Sequence, residues 1–100
     1  MPQKCLISDF ILQNKLENRF FLDIHGMSDE NDFDLAIGTG YLISEKYSLQ
    51  LEYIDVLAKK YDIKYVVNHK NYTGCPGLTG RLQQKTGKAN VLQLEWSKNY

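Results

Sequence analysis

Four short, apolar-rich runs recur along this chain: Phe20–Ile24, Phe33–Ile37, Ile63–Val67 and Val91–Glu95. Runs of this length suit β-strands and are too short to stand as helices. Between the second and third runs, Tyr47, Leu51, Ile54, Ala58 and Tyr61 alternate spacings of four and three. That spacing is the stripe of an amphipathic helix packed on a sheet. Ser44 is placed to cap this helix, and Lys59 and Lys60 near its end suit the helix dipole. Strands separated by helices point to an α/β domain with a largely parallel sheet and helices on its faces. The expected architecture is a three-layer sandwich around a mostly parallel mixed sheet.

The remaining segments fit that frame. Residues from Lys4 to Leu16 read as a helix with Ile7, Phe10, Ile11 and Asn14 on one side. Phe20–Ile24 is nearly all apolar, as a strand buried on both faces should be. Gly26 to Asp32 and Asn71 to Lys88 are polar and turn-rich, with Gly74-Cys75-Pro76-Gly77 a strong turn signal and Leu78–Gln84 a short helix. Trp96 to Tyr100 reads as the start of a further element.

One hundred residues make one domain, or a piece of a larger one. Twelve acidic and twelve basic side chains cancel, and no Lys/Arg run forms a nucleic-acid surface. No apolar run reaches a membrane-spanning length and no signal-peptide core opens the chain, so a cytoplasmic protein is expected, without membrane or nucleic-acid partners. Cys5 and Cys75, far apart, form neither a disulfide framework nor a paired-cysteine zinc motif, and read as reduced thiols.

Two strands end on residues able to do chemistry. Phe20–Ile24 delivers His25, followed by Gly26, which leaves room for a ligand to approach; Val91–Leu94 delivers Glu95. In open α/β sheets ligands bind just outside the carboxyl ends of strands. A potential metal ligand and a potential general base presented together suggest metal-assisted hydrolysis. Asp23 shares the face of His25 and could orient it. His69, after the third strand, joins the same sheet end only if that strand runs parallel to the others. Arg81 could grip a substrate carboxylate in a two-point pairing, or lie solvated in its loop. Asp29, Glu30, Asp32 and Asp34 lack the glycine and terminal glutamate of a calcium loop and read as a solvated acidic loop.

The words Leu22-Asp23-Ile24-His25-Gly26-Met27 and Phe33-Asp34-Leu35-Ala36-Ile37-Gly38-Thr39, then Asn71-Tyr72-Thr73-Gly74, Gly80-Arg81 and Val91-Leu92-Gln93-Leu94-Glu95, resemble the N-formylglutamate amidohydrolase family in order and spacing. The resemblance runs from about Phe20 to Tyr100. It implies a carboxypeptidase-like fold around one zinc, hydrolysing an amide bond in an acylated amino acid or short peptide. By that resemblance His25 matches a zinc ligand, Glu95 the general base and Arg81 a substrate-binding arginine. The family also has an earlier block with a histidine and an acidic zinc ligand. No His-x-x-Glu or similar pair precedes Asp23 here. The expectation is therefore a partial hydrolase-like domain lacking its N-terminal metal-ligand block, active when another chain or an unrecognised position supplies the missing ligands. The alternative is a catalytically inactive domain that acts by oligomerisation or by pairing with another chain.

Overall fold

The computed structural model describes residues 6–16, 18–27, 32–75 and 77–97. In chain order they form α1 (Leu6–Gln13), β1 (Phe21–Gly26), β2 (Leu35–Gly38), a 3-10 turn (Ser44–Tyr47), α2 (Ser48–Lys60), β3 (Tyr65–Val67), α3 (Leu78–Thr86) and β4 (Val91–Trp96). The four strands make one mixed sheet in the order β1-β4-β2-β3. β1 and β4 are parallel, β2 and β3 are parallel, and β2 meets β4 antiparallel. The chain is thus a small α/β domain, with two of its three strand pairs parallel as expected.

Alternation along the strands sorts the core into two clusters. Leu35, Ile37, Leu92 and Leu94 pack with Tyr47 from the start of the α2 region, joined by Leu51 and Ile54 of α2. On the other side, Val91 packs with Ile11 of α1 and Leu82 of α3. The α2 stripe therefore faces the sheet through Tyr47, Leu51, Ile54 and Ala58. It fails at Tyr61, which lies past the helix end and is 60% exposed.

Two sequence expectations need correction. β1 is not buried on both faces: it is a sheet edge, and Leu22 and Ile24 are 54% and 62% exposed. Continuous apolarity fits a buried strand, but nothing in it says whether the chain supplies a layer to cover it. Ser44 does not cap α2. It opens the 3-10 turn, and its hydroxyl donates to Glu45 Oε1 instead. β2 and β4, distant in sequence, are antiparallel neighbours in the sheet.

Helix and edge strand are tied by polar contacts. Tyr65 of β3 donates its hydroxyl to Asp55 Oδ1 at 2.8 Å, and Lys59 pairs with Asp55 Oδ2 at 2.8 Å. The Lys59 ammonium, then the Tyr65 hydroxyl, hold the Asp55 carboxyl below its ordinary pKa. A lowered folded-state pKa contributes stability above the unfolded value, and this is lost as pH falls through the folded value. We expect Asp55→Asn to lose less stability than the parent on going from neutral pH to about pH 3. Urea unfolding at both pH values measures this, and equal losses would refute it.

Candidate active-site residues at the β1 and β4 ends

The parallel pairing of β1 and β4 sets His25 in register with Glu95 and Asp23 with Gln93. In-register residues on adjacent strands point to the same face, with the strands about 4.8 Å apart. This is the face of Phe21 and Val91, packed beneath α1 and α3. The two sequence candidates, 70 positions apart, are therefore neighbours at one sheet end.

Asp23 organises the group. Its side chain is only 9% exposed, whereas that of His25 is 48% exposed. Asp23 Oδ1 lies 2.7 Å from His25 Nε2, and its Oδ2 accepts from the Thr79 hydroxyl at 3.2 Å. A carboxylate beside Nε2 holds the ring proton there and leaves the lone pair on Nδ1. Glu95, half-buried, accepts from Gln93 Nε2 at 3.2 Å. Thr79 and Gln93 escaped the sequence reading. Thr79 comes from α3, 56 residues from Asp23, and nothing local marks that contact.

Other candidates are placed differently. Arg81 is exposed in the first turn of α3, two residues beyond Thr79, and its guanidinium makes no hydrogen bond or ion pair among the described residues. β3 runs against β1 and β4, and the loop after it folds back so that the His69 ring packs 5.3 Å from Phe33 and 5.5 Å from Tyr72. Its Nδ1 accepts from the Asn71 amide at 3.3 Å. Asp29 and Glu30 lie outside the described residues. Asp34 accepts from the Lys64 amide through Oδ2, which makes it a strand tie.

A catalytic zinc needs three protein ligands and an open position. Among the described residues, no group of three or more His, Cys, Asp or Glu side chains is placed to hold a metal ion. These residues do not make a zinc centre by themselves. Cys75 is a free thiol whose pKa burial pushes up, opposite to the shift a metal-binding or nucleophilic thiolate needs.

The glycine-rich words of the sequence serve packing. β2 runs against β4, so Gly38-Thr39-Gly40 leaves the sheet away from His25 and Glu95. There Thr39 receives Asn68 Nδ2 on its hydroxyl at 2.8 Å and gives its amide to Asn68 Oδ1 at 2.9 Å. Gly80 lies against the Tyr41 ring, where a Cβ would come within 2.5 Å of a ring carbon.

The chain matches no protein-family model, no curated protein and no solved structure. Among the described residues no helix is long and apolar enough to cross a membrane.

Proposed function

We propose that this domain supplies part of a metal-dependent amidohydrolase site of the N-formylglutamate amidohydrolase kind, on a carboxypeptidase-like three-layer fold. The observation that carries the reading is the in-register placement of His25 and Glu95 on parallel β1 and β4. His25 Nδ1, turned away from the Asp23 contact, would be the ligand atom for a zinc ion. The remaining ligands would have to come from outside the described residues. Glu95 accepts the proton of the attacking water and passes it to the leaving amide nitrogen. Arg81 pairs with the carboxylate of a small acylated amino acid or short peptide.

Elemental analysis of the purified chain, combined with hydrolysis of an N-formyl amino acid, tests this. We expect about one equivalent of zinc in the parent and a clear deficit in His25→Ala. Glu95→Gln should keep the metal while hydrolysis falls about a hundredfold. A parent protein with neither zinc nor hydrolysis overturns the reading for this chain. The second reading, a catalytically silent domain acting by association, is favoured by the open apolar side of β1.

A further inference from the structure

Among the described residues, β1 lacks the protection that sheet edges usually carry. Natural edges are shortened, bulged, covered, or marked by proline or lysine. The opposite edge, β3, has three residues. β1 has six, paired with β4 along its length without a bulge, and contains no proline or lysine. The amides of Phe21 and Met27 point inwards to Asn90 and Trp96 carbonyls. In a parallel pair the alternate residues point their amide and carbonyl away. Leu22, Ile24 and Gly26 therefore present theirs at the open edge.

Leu22 of this edge also borders an apolar groove. It holds about 440 Å³ between α2 and the sheet, with Leu22, Tyr53, Leu57, Tyr61, Leu94 and Trp96 in its walls. Leu22, Ile24, Tyr53 and Tyr61 are each more than half exposed. Open hydrogen-bonding groups and exposed apolar side chains thus coincide on one strand.

Charge selects the occupant. The amino-terminal end of β1 is flanked by exposed Lys15, Arg19 and Lys88, with Lys88 bonded to Asn18. The segment after β1 carries Asp32 and Asp34 and has no lysine or arginine before Lys46. Glu17 is the one carboxylate between Lys15 and Arg19 in sequence. Two copies of β1 laid antiparallel oppose the basic end of each to the acidic end of the other; laid parallel, like ends meet. The formal net charge of zero adds no long-range repulsion between copies.

We propose that β1 is the interface of a homodimer, pairing antiparallel with β1 of a second copy about a two-fold axis. The two sheets then continue as one, and the two grooves close on each other. This stands independently of the hydrolytic reading.

Sedimentation equilibrium of the full chain at concentrations up to about 0.1 mM tests it. The parent should dimerise, and Ile24→Lys, which puts like charges near the axis, should weaken association at least about tenfold. Ile24 is 62% exposed, so circular dichroism should report an unchanged fold. Leu22→Lys is the second probe and should act alike. A monomeric parent overturns the proposal and leaves the groove to a partner of different sequence. A parent dimer unaffected by both variants overturns it as well.

Discussion

Gly38→Ala should destabilise this domain by at least about 3 kcal/mol, a large part of the total for a domain of this size. A Cβ built on Gly38 would lie 2.5 Å from the Thr73 carbonyl carbon, 2.6 Å from its oxygen and 2.8 Å from the Gly74 nitrogen. All three are backbone atoms, so no rotamer change relieves the overlap. The loop cannot simply lift, because Thr73 O accepts from the Gly40 amide at 2.7 Å. On the other side Gly38 is paired with Gln93 in the sheet. Urea unfolding of Gly38→Ala and the parent measures the difference. A loss under about 1 kcal/mol would mean the loop moves freely, contrary to this account. Gly26→Ala is the control, since a Cβ there meets nothing within 4 Å.

Gln83→Leu should cost about 3 kcal/mol by a different route. Gln83 is 5% exposed and holds three segments together. Its Nε2 donates to Thr39 O at 2.6 Å and contacts the Tyr47 hydroxyl at 3.0 Å, while Oε1 accepts from the Tyr41 amide at 2.8 Å. Leucine keeps the volume and strands these partners, of which Thr39 and Tyr47 are fully buried. An orphaned buried polar group costs its full desolvation. Adding Tyr47→Phe removes one stranded hydroxyl, so the double variant should be more stable than the sum of the single losses by about 1 kcal/mol. Strict additivity would show that the Gln83–Tyr47 contact contributes nothing.

Much of the local structure was legible in the sequence. Periods of two and of 3.6 are set by backbone geometry within a few residues, so all four strands and the stripe through Tyr47, Leu51, Ile54 and Ala58 could be read directly. The same logic placed His25 and Glu95 at strand ends and Asp23 on the face of His25. It failed at Ser44, where a hydroxyl had a closer partner in Glu45 than the helix amides.

Only the tertiary structure decided what those ends do. That β1 lies beside β4 and parallel to it, bringing His25 to Glu95, depends on pairings between segments some seventy residues apart. The same pairing made β1 an edge and exposed Leu22 and Ile24, although their run reads as buried. Thr79 reaching Asp23, and Gln83 reaching Thr39, are likewise contacts between distant segments. Local pattern specifies which residues can face a core; strand order specifies which of them actually meet, because that choice is made by packing between elements.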